Sequence, residues 1–162
     1  MSEAFHAAPR IGIGWDRHRM QAGRPCVLGG VRLECPVGPA GHSDGDVLLH
    51  ALADALLGAA GLDDLGTLFP DTDPRYAGAA STELLHAVLE RVAAAGLRPA
   101  CVDVVVVCDR PRLAPARARI RGQLAGWLRL PLERVNLKGK TSEGAATVEA
   151  VEAMAVAALV PL

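Results

Sequence analysis

A single domain that combines amphipathic helices with a sheet is the fold class this sequence predicts, and two kinds of periodicity predict it. Apolar residues recur at helical spacing after Ser43, after Ser81 and over residues 116–129, whereas Arg10–His18 alternates and Val102–Cys108 is a nearly continuous β-branched run. At 162 residues the chain suits one core and is short for two, so residues 1–162 are read as one domain with a loose start over residues 1–9. A net charge of -1 leaves no basic excess for nucleic acid, and no apolar run approaches the ~18 residues of a membrane span. Neither partner is expected, and with no export signal at the start a cytoplasmic protein is. The four cysteines form no C-x-x-C pair and are expected to be reduced thiols. With 3% aromatic residues the core must be built from Ala, Leu and Val, and a 51% apolar composition leaves surface that an oligomer interface could absorb.

The stretch from Gly41 to Leu62 organises the rest. Ser43 followed by Asp46 is a carboxylate version of the capping box, which predicts a helix start with free N–H groups beside His42 and Ser43, a seat for an anion. Spacing of four places Asp46, His50 and Asp54 on one stripe beside an apolar one containing Val47, Leu48, Ala51, Leu52, Ala55 and Leu56. His50 reads either as a metal ligand or as a hydrogen-bonded core histidine.

Upstream, Arg10–His18 predicts a strand with Ile11 and Ile13 on one face and the glycines on the other. Asp16 and His18 then point the same way and can grip one metal ion, with His50 or His42 as the third ligand. Cys26–Leu28 and Val31–Leu33 flank Gly29-Gly30 and predict a tight hairpin. Residues 63–74 form a carboxylate-rich loop bracketed by prolines, without the spacing of an EF-hand. It reads as a loop that accepts hydrogen bonds from substrate hydroxyls, or as a solvated connector.

A second amphipathic helix is expected from Ser81 to Gly96, with His86 on the surface, and a third over 116–129 with Ile120, Leu124 and Trp127 inward and its arginines solvated. Between them Val102–Cys108 predicts a buried strand that stops at the prolines following Asp109. Val135–Lys138 is a strand leading into Gly139-Lys140-Thr141-Ser142-Glu143, where lysines, hydroxyls and a carboxylate suit a phosphate bridged by a divalent cation, or simply a charged strand end. The Ala-rich run from Thr147 to Val160 is ambiguous between helix and strand.

Taken together, these residues resemble one family, the 2-C-methyl-D-erythritol 2,4-cyclodiphosphate synthases of non-mevalonate isoprenoid biosynthesis. The resemblance runs from Arg10 to nearly the end. It rests on Gly14-Trp15-Asp16-Arg17-His18, His42-Ser43-Asp44-Gly45-Asp46 with His50, Asp54 and Leu57-Gly58-Ala59, Asp64-Leu65-Gly66 with Phe69-Pro70-Asp71-Thr72-Asp73, Pro111-Arg112-Leu113, and Lys138 with Thr141-Ser142-Glu143.

The resemblance implies an α+β subunit whose mixed sheet is covered on one face by helices, assembled as a homotrimer around a threefold axis, with active sites between subunits. It implies zinc, or another divalent transition metal, on Asp16, His18 and His50, and magnesium or manganese on Glu143. His42 and Ser43 match residues that meet phosphate, and together with Thr141 they are the expected catalytic residues. Asp64 and Gly66 match a ribose site, and Phe69, Pro70, Asp71, Thr72 and Asp73 a loop around methylerythritol. Cys108, Arg112, Leu113, Ala114, Gly139, Lys140 and Thr141 match a cytidine and phosphate pocket supplied by the neighbouring subunit. The implied reaction converts 4-diphosphocytidyl-2-C-methyl-D-erythritol 2-phosphate to the cyclodiphosphate and CMP, a phosphorus–oxygen lyase activity. An isoprenoid diphosphate or other anion on the axis is a further implied ligand. This chain departs from the family pattern by lacking the Gly-Arg-Gly-Glu-Gly segment after Glu143 and by carrying Arg17, Lys140 and Arg112. By register with the family the last segment is a strand, and Arg17 is expected to replace the missing arginine.

Overall fold

Gly12 and Gly14 decide how the first strand meets the central helix. In the computed structural model, which describes residues 8–41, 43–70, 72–73 and 79–162, strand β1 spans Arg10–Ala22 and helix α1 spans Val47–Ala60. A Cβ at Gly12 would collide with the carbonyl oxygen of Ala55, and one at Gly14 with that of Ala51. Two glycines on the strand and Ala51, Ala55 and Ala59 at four-residue spacing on the helix therefore bring the two backbones together without side chains between them.

Strands β2 (Cys26–Leu28) and β3 (Val31–Leu33) form the expected hairpin, with Gly29 and Gly30 at φ 60° and 70° in the turn. A short β4 (Val37–Pro39) follows and pairs with the end of β1. After α1 come a single turn of helix, α2 (Leu65–Leu68), then α3 (Ser81–Ala94), β5 (Leu97–Val107), α4 (Arg117–Leu128), a 3-10 turn over Leu132–Arg134, β6 (Val135–Lys140) and β7 (Ala150–Pro161). The ambiguous last run is thus a strand: it lies between β1 and β5, where both edges of its backbone are paired.

The main sheet has five strands in the order β4-β1-β7-β5-β6, mixed because only β5 and β6 run parallel, joined by a crossover that contains α4. Alternation separates its faces. Gly12, Gly14, Val102, Val104, Val106, Val151, Ala153 and Ala155 are buried on the helix side, whereas Ile11, Ile13 and Trp15 on the other side are 62%, 65% and 55% exposed. Met154 and Val156 extend that open apolar face across β7. Arg17, next along β1, makes an ion pair with Glu152 opposite it (3.2 Å).

Three local expectations change. The cap of α1 is Asp46 rather than Ser43: its Oδ1 accepts from Leu49 N (3.2 Å), so the helix starts three residues later than the capping-box reading placed it. Trp127 is only half-buried and meets His86 edge to face, while Ile120 and Leu124 are buried as expected. The α4 arginines are not simply solvated. Arg117 Nε donates to Leu137 O (2.6 Å) and Arg121 to Val135 O (2.9 Å), taking up carbonyls of the edge strand β6, and Arg121 also donates to Leu132 O (3.0 Å) in the 3-10 turn before it. No helix among the described residues is long and apolar enough to cross a membrane.

Candidate functional site

Asp16 and His18 emerge from β1 on the helix side, two residues apart, and His50 faces them from the first turn of α1. Asp16 Oδ2 lies 2.9 Å from His18 Nε2 and 2.9 Å from His50 Nδ1. One ligand atom from each of the three lies within 4.8 Å of the others, and all three residues are half-buried. Two imidazoles and a carboxylate converging from one side are a donor set that suits zinc or a similar divalent ion, with further positions open to solvent or substrate. Burial alone would push the Asp16 carboxyl up, but hydrogen bonds from His18 and His50 and their nearby charge hold it well below the usual carboxylate range. It is therefore an anion ready to bind a cation.

The remote nitrogens are also held. His18 Nδ1 meets the carbonyl of Ala40, and Gly41 packs against the His18 ring, where a Cβ would come 3.1 Å from Cε1. His50 Nε2 lies 2.9 Å from Ser81 Oγ and 3.4 Å from Ser43 Oγ. Arg24 fastens the loop between β4 and α1 by donating to the carbonyls of Pro39 (3.2 Å), Gly41 (3.0 Å) and Ser43 (3.1 Å). Ser43 thus stands beside the triad, although not as a helix cap. His42 lies outside the described residues.

Asp46 leaves the polar stripe that its spacing suggests. It is fully buried, and its carboxylate accepts from Gly29 N (2.9 Å) and Gly30 N (2.7 Å), tying the β2–β3 turn to the start of α1. Asp54, one turn beyond His50, accepts from Leu65 N (2.8 Å) and so positions the segment carrying Asp64 and Gly66. Asp64 caps α2 through Thr67 N (2.8 Å), and hydrogen bonds from the Thr67 side chain and from that N–H keep its carboxyl below the usual range. Ile13, Trp15, Asp54, Leu62 and Asp64 line one open pocket beside the triad strand. Of the following loop, Phe69 is buried beneath the Arg91 guanidinium (5.2 Å to the ring centroid), and Pro70 O accepts from Asp73 N (2.9 Å) across an exposed Thr72. Asp71 lies outside the described residues.

The remaining expected residues form a second group. Parallel pairing of β5 with β6 sets Cys108 N on Lys140 O (3.0 Å), Gly139 has its Cα side against Leu113, and Ser142 donates to Asp109 through N (2.8 Å) and Oγ (2.6 Å). Thr141 Oγ1 donates to Glu143, which sits at φ 52° at the tip of the turn. Arg112, Ala114, Lys140, Thr141 and Glu143 are exposed around it. Glu143 offers one exposed carboxylate there, sufficient for magnesium only when substrate phosphates complete the shell. Strand order separates the two groups: β1 and β6 lie three strands apart, roughly 14 Å at normal sheet spacing.

Sequence reasoning missed Arg24, the Asp44–Ser81 contact and the carbonyl-capping arginines of α4. The signal for Arg24 was a single basic residue in a turn, which has no periodicity to mark it.

The model of the YgbB family matches residues 9–162. The chain belongs to that family. One relative, the 2-C-methyl-D-erythritol 2,4-cyclodiphosphate synthase of Salinibacter ruber, is 50% identical over 149 residues, covering 92% of this chain and 95% of its own. A solved 2C-methyl-D-erythritol-2,4-cyclodiphosphate synthase superposes with a TM-score of 0.89 at 49% identity, covering 93% of this chain and 99% of that one. Another, in a form bound to CDP, gives 0.88 at 46% identity with 93% and 99% covered. The resemblance read from the sequence is borne out, as is an α+β subunit with a mixed sheet.

Proposed function

We propose that this YgbB-family chain converts 4-diphosphocytidyl-2-C-methyl-D-erythritol 2-phosphate to 2-C-methyl-D-erythritol 2,4-cyclodiphosphate and CMP, in the cytoplasm and as a homotrimer. The observation that carries the reading is the convergence of Asp16, His18 and His50 in a chain half identical to synthases of that name over nearly its whole length. A CDP-bound relative supports a cytidine diphosphate as the ligand class.

The reaction forms a bond between an oxygen of the substrate's own 2-phosphate and its β-phosphorus and breaks the bond from that phosphorus to the oxygen that leaves with CMP. The nucleophile is already anionic near neutral pH, since the second ionisation of a phosphate monoester falls near pH ~6, so no side chain has to act as its base. When bound, zinc on the triad and magnesium at Glu143 supply Lewis-acid neutralisation of the phosphoryl oxygens. Lys140 and Arg112 add fixed positive charge, and Ser43 and Thr141 offer hydroxyl donors to phosphate oxygens. Asp64, kept ionised by its Thr67 contact, accepts hydrogen bonds from ribose hydroxyls with Gly66 beside it. Phe69, Pro70, Asp71, Thr72 and Asp73 bound the methylerythritol, and His42 joins Ser43 at the phosphate. Cys108, Leu113, Ala114 and Gly139 wall the cytosine. Holding both ends of one flexible molecule removes entropy that ring closure would otherwise cost, an effect that reaches ~7 kcal/mol in favourable cases.

Assembly follows from two features. The face bearing Ile11, Ile13, Trp15, Met154 and Val156 is too apolar to stay in water, and the triad and the Lys140 group of one chain stand three strands apart. Packing three such faces around one axis buries the first feature and lets a neighbour's Lys140 group approach each triad. Arg17 then points toward the axis with Glu152 as its partner, where it remains a candidate contact for an isoprenoid diphosphate or other anion. The test is an assay on the intended substrate. Release of CMP with a cyclic diphosphate supports the reading, and release of inorganic phosphate instead identifies a metal-dependent hydrolase.

A further inference from the structure

Ser81 begins α3 and contributes no atom to the triad, yet it is 1% exposed and reaches the triad from behind. Its Oγ donates to Asp44 Oδ1, its backbone N donates to Asp44 Oδ2 (3.2 Å), and the same Oγ lies 2.9 Å from His50 Nε2. Asp44 in turn is oriented by Asp46 N, which donates to Oδ1 (3.2 Å). The direction of this chain of hydrogen bonds is forced by chemistry. A carboxylate only accepts, so the single hydroxyl proton of Ser81 goes to Asp44 and a lone pair is left facing His50. Nε2 must then carry an imidazole proton, which leaves Nδ1, 2.9 Å from Asp16 Oδ2, as the nitrogen able to bind a metal ion that His50 and Asp16 share. Ser43, at 3.4 Å, is the weaker neighbour of the same nitrogen and already accepts from Gly45 N (3.1 Å).

We propose that Ser81, oriented by Asp44, is a positioning residue for the metal site: it holds His50 in the Nε2–H tautomer that directs Nδ1 toward Asp16 and His18. The inference rests on the reading of Asp16, His18 and His50 as metal ligands. It also ties metal affinity to the docking of α3 against the loop that precedes α1, because Ser81 belongs to the one and Asp44 to the other.

Zinc affinity of the full chain, measured by competition with a chromophoric chelator, tests it. Loss of an outer contact of this kind is expected to weaken binding by about 10- to 100-fold in Ser81→Ala, with a larger loss in His50→Ala. Unmodified protein loaded with zinc should show, by 15N NMR of the imidazoles, a proton on His50 Nε2 and metal on Nδ1. Equal zinc affinity in Ser81→Ala and parent, including a variant that melts lower without metal but binds zinc unchanged, overturns the proposal. So does zinc on Nε2 of His50, a readout that needs no variant to fold. A parent that takes up no zinc, or a His50→Ala variant that takes it up equally, refutes the metal reading instead.

Discussion

His50 and Asp46 show how two residues on one stripe of a helix acquire opposite roles. His50 is partly buried with a nitrogen directed at Asp16, so His50→Ala should reduce zinc affinity and CMP release by more than the ~100-fold expected for an outer contact. Chelator competition and the product assay measure the two losses, while circular dichroism should be unchanged. Asp46 is fully buried, and burial pushes its carboxyl up to about 6 against the opposing N–H groups of Gly30, Gly29 and Leu49, with Asp44 adding to the rise. Its folded pKa thus lies above the ordinary 3.8, so the native state holds this proton more tightly than the unfolded chain. The resulting stabilisation is complete below about pH 4 and is lost as pH rises through about 6, on the order of 3 kcal/mol over that window. Urea unfolding at a series of pH values should show the parent losing this increment while Asp46→Asn, which cannot titrate there, lacks that component of the slope.

Elements meet closely where side chains are missing. Gly14 lies so close to the Ala51 carbonyl that a methyl group there would overlap it, and the obstacle is helix backbone rather than a side chain that can rotate away. Gly14→Ala is therefore expected to cost about 3 kcal/mol in urea unfolding, the upper part of the range for overpacking. The same shift would separate β1 from α1 and pull Asp16 away from His50, so zinc affinity should fall with stability. The α1 boundary illustrates what spacing alone misses: Ser43 and Asp46 satisfied a capping pattern, but Asp46 took the cap because its carboxylate could hold Leu49 N and the Gly29-Gly30 turn at once. On α4 the alternation of arginines looked like a solvated face, and the nearby edge strand converted it into a row of carbonyl caps.

For the whole molecule, an active site shared between subunits makes a prediction that a self-contained subunit does not. His50→Ala and Arg112→Ala chains, each inactive alone, should regain activity when refolded together, because mixed trimers contain sites with both residues intact; about one site in three is expected. CMP release from the mixture measures this, and mixtures as inactive as either parent after proven exchange would reject it. Light scattering should report a trimer for the parent and smaller species for Trp15→Glu, which puts a charge in the apolar face.

The local patterns were settled by the sequence itself. The hairpin at Gly29-Gly30, the helix from Ser81 and the two-residue spacing of Asp16 and His18 depend on neighbours in the chain and appear as read, and the strand expected over Val102–Cys108 forms but spans Leu97–Val107. Residues 147–160 did not resolve that way, because alanine suits either helix or strand when only its neighbours are consulted. Tertiary structure made a strand of the part from Ala150 on: a backbone placed between β1 and β5 satisfies its N–H and C=O groups on both sides. The same holds for Ser81 and His50. They are 31 residues apart, and nothing in their spacing joins them. Only the packing of α3 onto the loop before α1 brings the hydroxyl to the imidazole, and only there does the acceptor-only chemistry of Asp44 determine which nitrogen carries the proton.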